Sequence, residues 1–134
     1  MKVVFDTNVL ISALIKTGKP RELFLRLTEK KALILSKNII EEFLEIAEDP
    51  RITKYVSEQE TNFFLNSLRD AAKVVIVRSK FRAVKEDPDD DVILRTAYDG
   101  KADYIVSGDN HLLSLGEFKG TKIVTVDDML KILK

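Results

Sequence analysis

Cysteine is absent from the 134-residue sequence, and histidine occurs once, as His111. The first absence rules out disulfides and thiolate metal sites, and a single imidazole rules out zinc sites built from several histidines. No apolar run reaches the ~18 residues of a membrane-spanning helix, and the apolar run in the opening "MKVVFDTN" is too short for a signal peptide. The sequence therefore favours oxygen-ligated metal ions and predicts a cytoplasmic protein without membrane contact.

An excess of charge of one sign is also missing, because 22 basic residues balance 22 acidic ones. Zero net charge gives no support to a strongly basic nucleic-acid clamp. The basic residues are nevertheless concentrated in the first third of the chain and again before an acidic run. We predict that six of them hold substrate phosphates, with ordinary solvated surface as the alternative: Lys16, Lys19, Arg21, Arg78, Lys80 and Arg82.

The length fits a single domain, residues 1–134, with one hydrophobic core. Short apolar runs rich in β-branched residues predict five buried strands, and amphipathic helical patterns lie between them. This alternation predicts an α/β fold with a parallel sheet covered on both faces. The predicted strands are 2–5, 32–35, 74–77, 103–106 and 122–126, and the predicted helices are 8–15, 20–30, 37–48, 57–72, 88–98 and a last one from 127.

Signals at the helix ends agree with this alternation. Ser57 and Glu60 have the spacing of a capping box. Asp87 precedes Pro88 as a capping residue precedes a proline at the first helical position, and Gly100 is expected to end that helix.

Acidic residues follow four of the predicted strands. Asp6 follows the first, Glu41 and Glu42 lie on the helix after the second, the run "EDPDDD" follows the third, and Asp109 follows the fourth. Ligands bind beyond the carboxyl ends of parallel strands, so we expect these acids to converge at one edge of the sheet. Asn8 is better placed than Asp6 to cap the first helix, which favours a functional role for Asp6. For Asp109, capping a short turn is an equal alternative.

Helix geometry separates the acids of the "EDPDDD" run. At ~3.6 residues per turn, Asp90 continues the apolar stripe that reaches Ala97, whereas Asp91 points away from the sheet. We therefore assign Asp90 to the site, Asp87 to the helix cap, and Asp89 and Asp91 to stabilising the helix N-terminus through its dipole. The same pattern does not separate the earlier pair of glutamates, which border opposite sides of their apolar face.

Carboxylates gathered at one edge repel one another unless a cation lies among them, and the available ligands favour Mg²⁺ or Mn²⁺. Such a site suits phosphodiester hydrolysis by a metal-activated water. Two other folds fit less well. A haloacid-dehalogenase-like phosphatase requires a second Asp where this chain has Asn8, and a phosphorylated receiver domain requires an Asp at the end of its third strand, which "VVIVRS" lacks.

Four segments in order, "VVFDTNVLISAL", "LSKNIIEEFLEI", "DPDDDVILRTA" and "DYIVSGDNHLL", resemble the PIN-domain family. They are most similar to the PIN-type toxins of prokaryotic toxin-antitoxin systems. The resemblance implies a three-layer α/β/α fold with a central, mostly parallel five-stranded sheet. It also implies a metal-dependent endoribonuclease acting on single-stranded RNA.

The resemblance further implies roles for individual residues. The family's four catalytic, metal-binding acids fall on Asp6, Glu42, Asp90 and Asp109, and its supporting polar positions fall on Asn8 and Ser107. His111 stands where the family often has another acid.

Protein partners follow from the same resemblance, namely an antitoxin and a second copy of the chain. The apolar side chains of Leu23, Phe24, Phe63 and Phe64 exceed what one core face needs, although core packing explains them equally well. The alternatives are an RNA-processing nuclease without an antitoxin and a non-catalytic module that binds RNA or protein.

Overall fold

The computed structural model of the protein describes residues 1–84 and 88–134. Strands and helices alternate along the described residues as the apolar pattern predicts. The strands are β1 (Val3–Phe5), β2 (Leu33–Ser36), β3 (Lys73–Val75), β4 (Tyr104–Val106), β5 (Glu117–Phe118) and β6 (Thr121–Val124). The helices are α1 (Thr7–Ile15), α2 (Lys19–Glu29), α3 (Lys37–Ala47), α4 (Pro50–Thr53), α5 (Glu58–Ala71), α6 (Pro88–Gly100), α7 (Asn110–Leu113) and α8 (Val126–Ile132).

The strands form one sheet in the order β3-β2-β1-β4-β6-β5, and its pairs are parallel except for β5 with β6. Val4 of β1 lies opposite Ile34 on one side and Ile105 on the other, so β1 is at the centre. The predicted α/β class with a central, mostly parallel sheet flanked by helices is confirmed. The sheet has six strands among the described residues instead of five.

The additional strand, β5, forms a hairpin with β6. Its turn consists of Lys119 and Gly120, whose φ angles of 49° and 90° are both left-handed, as in the tight turns that suit a two-residue hairpin. Sequence patterning missed β5 because two residues are too few to show an alternation of apolar and polar side chains.

The predicted helix boundaries differ from the structure by at most two residues, and two of the differences change the role of a residue. Asp6, not Asn8, is the N-cap of α1, because the Asp6 carboxylate accepts a hydrogen bond from the Asn8 amide. Helix α6 continues through Gly100, and Lys101 takes the left-handed position with φ 54°. Gly100 is needed for packing, since a Cβ there would lie 2.8 Å from Ile34 Cγ2. The predicted cap Asp87 lies outside the described residues.

The capping box at the start of α5 is present, with Ser57 and Glu60 exchanging two hydrogen bonds of 3.1 Å. This helix packs on α2 through stacked rings, with the Phe24 and Phe64 centroids 4.5 Å apart. Leu23, Phe24 and Phe64 are therefore core residues, whereas the Phe63 side chain is 75% exposed. No helix among the described residues has the length and apolar character needed to cross a bilayer.

The segment 78–84 lies along α6 and is attached to it by three side chains spaced four residues apart, Asp91, Arg95 and Asp99. This spacing places the three on one stripe of the helix. Each bonds main-chain atoms of the segment, and two side chains of the segment add contacts with α6: Ser79 Oγ donates a hydrogen bond of 2.9 Å to Asp99 Oδ2, and the Phe81 ring packs edge-on against Tyr98. Asp91 bonds the Ala83 and Val84 amides, Arg95 bonds the Phe81 carbonyl oxygen, and Asp99 bonds the Arg78 and Ser79 amides.

Asp91 has a structural role in addition to its predicted position in the first turn of α6. Helical phase directs it away from the sheet, but did not predict that its side chain is buried there: Asp91 Oδ1 accepts hydrogen bonds of 2.8 and 2.9 Å from the amides of Ala83 and Val84. Asp91 thus joins α6 to the chain that precedes it. Asp89, by contrast, is exposed in the first turn of α6.

Candidate metal centre

The four acids singled out in the sequence line one crevice of about 630 Å³. Asp6 follows β1, Glu42 lies on α3, Asp90 lies in the first turn of α6, and Asp109 follows β4. Parallel strands bring these segments to the same edge of the sheet, which is why residues far apart in sequence meet there. Further acids line the crevice too: Glu41, Glu45, Asp49 and Asp89.

Ser107 links two of the acids. Its hydroxyl donates a hydrogen bond of 2.8 Å to Asp6 Oδ2 and accepts one of 3.0 Å from the Asp109 amide. Asp6 Oδ1 accepts a longer bond of 3.4 Å from the Asn8 amide. Both Asp6 and Ser107 are buried. The two polar residues predicted to support the site, Asn8 and Ser107, therefore both contact Asp6.

Burial raises the pKa of Asp6. The hydrogen bonds from Ser107 and Asn8 act in the opposite direction, and the charge of Asp109 raises the pKa further. A buried carboxylate near a second carboxylate resists ionisation, and a divalent cation among them reverses that preference. The donor set of the crevice, which is dominated by carboxylate oxygens, fits the hard cations Mg²⁺ and Mn²⁺.

The tightest group of metal-ligating side chains among the described residues contains Asp90, Asp109 and His111. One ligand atom from each lies within 4.8 Å of the others. The group does not include Asp6 or Glu42, which line the same crevice. Sequence reasoning treated His111 only as a departure from an acidic position. The sequence signal that could have identified His111 as a possible metal ligand was its position two residues after Asp109, at the carboxyl edge of the sheet.

Burial distinguishes the two glutamates of α3 that helical phase left unresolved. Glu42 is half-buried, whereas Glu41 is exposed and lies 3.8 Å from Lys37 Nζ. Both line the crevice. Burial therefore favours Glu42 as the inner residue of the pair.

A hydrogen bond missed by sequence reasoning joins the helices that carry Glu42 and Asp90. The hydroxyls of Ser36 and Thr96, both buried, lie 2.8 Å apart. Ser36 also caps α3 through the Ile39 amide. This pair links the N-cap of α3 to the middle of α6, the two helices that carry these acids.

None of the six predicted RNA-binding residues lines the acidic crevice. Arg21 donates hydrogen bonds of 2.8 Å to the carbonyl oxygens of Ala13 and Leu14, so its guanidinium is engaged at the end of α1. Lys19 forms an exposed ion pair of 3.0 Å with Asp127. The remaining side chains are exposed, and three of them alternate along segment 78–84: Lys16, Arg78, Lys80 and Arg82.

Comparison with known proteins supplies independent information on this arrangement. A family model described as the PIN domain matches residues 2–111. An uncharacterized protein of Methanocaldococcus jannaschii is 32% identical over 117 residues, which cover 86% of this chain and 75% of that protein. The residues matched by the family model include all four acids of the crevice and His111.

Proposed function

The chain belongs to the PIN-domain family, and from this premise we propose that residues 1–134 form one nuclease domain that cleaves single-stranded RNA with Mg²⁺ or Mn²⁺. PIN domains are typically metal-dependent nucleases. The observation that carries the proposal is that acids from four separate segments line one crevice. We assign Asp6, Glu42, Asp90 and Asp109 to metal binding and catalysis.

A bound divalent ion would neutralise the scissile phosphodiester and supply an activated water there. The contribution of the protein is to position oxygen ligands. Ser107 holds the Asp6 and Asp109 segments together. The main-chain amide of Asn8 orients the Asp6 carboxylate. Attack by water on phosphorus would leave a 5′-phosphate and a 3′-hydroxyl.

The exposed basic residues of segment 78–84 are our candidates for substrate phosphates. Arg78 lies beside Asp99, which is nine residues beyond Asp90 and therefore about 13 Å along α6. The alternating exposure of Arg78, Lys80 and Arg82 gives an extended chain with cations on its outer side. This arrangement suits a flexible single strand that passes along α6 to the crevice. Lys16 and Lys19, which follow α1 in the chain, remain further candidates for binding substrate phosphates.

The activity is tested by incubating purified protein with unstructured and structured RNA, with Mn²⁺ or with EDTA. We expect cleavage of the unstructured RNA only with the metal, and loss of cleavage in Asp90→Asn. Cleavage that persists in EDTA, or products that end in a 2′,3′-cyclic phosphate, would contradict the mechanism. A non-catalytic module would show no metal-dependent change in either stability or nuclease activity.

We also propose a toxin role with an antitoxin partner and self-association. The supporting observation is an apolar groove of about 780 Å³ between α2 and α5, where Leu25 and Phe63 are 56% and 75% exposed. A neighbouring gene for a small DNA-binding protein would support the toxin role over RNA processing without an antitoxin. Light scattering that shows a monomer at high concentration would contradict self-association.

A further inference from the structure

We propose that His111 is a direct ligand of the metal bound by Asp90 and Asp109, and that it shifts the metal preference of the site from Mg²⁺ toward later divalent ions such as Co²⁺ and Zn²⁺. The proposal rests on the proposed metal-dependent function and adds a residue that determines metal specificity. The grouping of the three side chains within 4.8 Å carries it.

The separation of two members of this group suits one shared ion. Two ligand atoms at about 2.1 Å from an ion lie about 3.0 Å apart at a right angle and about 4.2 Å apart when opposite. His111 Nδ1 and Asp109 Oδ1 are 3.7 Å apart, which lies inside that range. The imidazole is more than half exposed, so it can rotate about its side-chain bonds to complete the coordination.

The main chain, not the imidazole, sets the position of residue 111. The His111 amide donates a hydrogen bond of 2.8 Å to Asp109 Oδ1, and the Leu113 amide donates one of 2.9 Å to the Asp109 carbonyl oxygen. Leu112, between them, is fully buried and anchors α7. A substitution of His111 therefore leaves Asp109 and the short helix in place, which makes the side chain testable by itself.

The chemistry of an imidazole nitrogen explains the expected change in preference. Mg²⁺ favours oxygen ligands in near-ideal octahedral geometry, whereas Co²⁺, Ni²⁺ and Zn²⁺ accept imidazole readily. A metal site built only from carboxylate ligands would lack this bias. Because His111 is the single histidine of the chain, one nitrogen ligand is the most that a histidine can contribute within one protein molecule.

The binding experiment uses protein without a histidine tag and without RNA. Mg²⁺ and Co²⁺ are titrated separately by calorimetry into the wild type, His111→Asn and His111→Asp. We expect the ratio of the Mg²⁺ to the Co²⁺ dissociation constant to fall about tenfold or more in both variants. His111→Asp should in addition bind Mg²⁺ more tightly than His111→Asn, because it adds a carboxylate oxygen.

A spectroscopic measurement separates ligation from simple charge proximity. The single imidazole gives one set of ring-nitrogen resonances, and direct coordination of Zn²⁺ should shift one ring nitrogen far more than the other. An unchanged binding ratio with metal still bound, or a changed ratio with neither nitrogen selectively shifted, would overturn the ligand role and leave the proposed nuclease intact. Absence of metal binding by the wild type would overturn both.

Discussion

The acidic crevice and the stripe of α6 that carries Asp91 and Asp99 both contain buried or half-buried aspartates, yet these aspartates have different surroundings in the two regions. On the stripe, Asp91 and Asp99 each accept hydrogen bonds from main-chain amides of one neighbouring segment. In the crevice, Asp6 and Asp90 face a space lined by other carboxylates. Burial of an acid is therefore not by itself a sign of function. The nature of its surroundings separates a structural carboxylate from a candidate metal ligand.

The pKa directions express the same contrast. Burial raises the pKa of Asp6, and the hydrogen bonds that it accepts do not offset that effect. Burial also favours a raised pKa for Asp99, but hydrogen bonds from Ser79 and Arg78 outweigh it and lower the pKa. The fold thus stabilises the charged form of Asp99 but not that of Asp6, and in our proposal a cation stabilises the charge of Asp6.

The largest expected effect is on catalysis, at Asp90. Asp90→Asn should reduce cleavage at least about 100-fold, because even residues that only support metal ligands typically contribute about 10- to 100-fold. The variant should also bind Mn²⁺ more weakly, and in EDTA its free energy of unfolding should equal or exceed that of the wild type, since one crowded charge is removed. Single-turnover cleavage and urea unfolding measure these quantities.

The matched control for that prediction is the neighbouring residue. Asp91→Asn keeps an acceptor oxygen toward the Ala83 and Val84 amides, and its folded fraction should cleave RNA. If Asp91→Asn abolishes cleavage while Asp90→Asn stays active, the assignment of the two acids must be reversed.

The next effect is on stability, at the stripe. Asp91→Ala should lower the free energy of unfolding by about 2 to 4 kcal/mol, because two main-chain amides lose a charged acceptor. Asp89→Ala, an exposed substitution in the same turn, should cost less than about 1 kcal/mol. Equal losses in urea unfolding would mean that the attachment of segment 78–84 contributes little.

A smaller effect concerns the binding of RNA by the basic side chains of segment 78–84. Reversing the charges of Arg78, Lys80 and Arg82 should weaken RNA binding and reduce the slope of log K against log salt by about 0.7 for each RNA phosphate that these side chains neutralise. The segment should stay attached, since α6 bonds its main chain. The control reverses three basic residues that precede β1 and β2, at the opposite edge of the sheet: Lys2, Lys30 and Lys31. Equal salt slopes for the two triple variants would show that segment 78–84 is ordinary solvated surface.

The smallest expected effect is the pH dependence of stability in EDTA. The pKa of Asp6 is raised from 3.8, so the folded state binds its proton more tightly and stability falls as pH rises from 3.8 through the folded pKa. The pKa of Asp99 is lowered from 3.8, so its contribution is present above 3.8 and is lost as pH falls through the folded pKa.

The two aspartates can be separated by substitution. Relative to the wild type, Asp6→Asn should flatten the decline above pH 3.8, and Asp99→Asn should flatten the loss below it. Urea unfolding across this pH range measures both slopes. If both variants change the same side of the profile, the contrast between the two regions fails.

Much of the fold was predictable because its signals are local. Short β-branched runs identify the parallel strands, and Ser57 with Glu60 identifies the start of α5. The rule that ligands gather at the carboxyl edge of parallel strands then brings Asp6 and Asp109 together without coordinates. The 3.6-residue period also correctly directs Asp90 into the crevice.

What the sequence by itself determined is therefore the class of the fold, most of its elements and the edge at which the acids meet, since these depend on periods and caps within a few residues. Only the tertiary structure showed that Asp91 is buried, because its partners are main-chain amides of segment 78–84, and no side-chain pattern predicts where that segment lies. Only the structure placed His111 with Asp90 and Asp109, because that grouping joins α7 to α6 across the sheet edge. Contacts between main chain and distant side chains leave no periodic trace in a sequence.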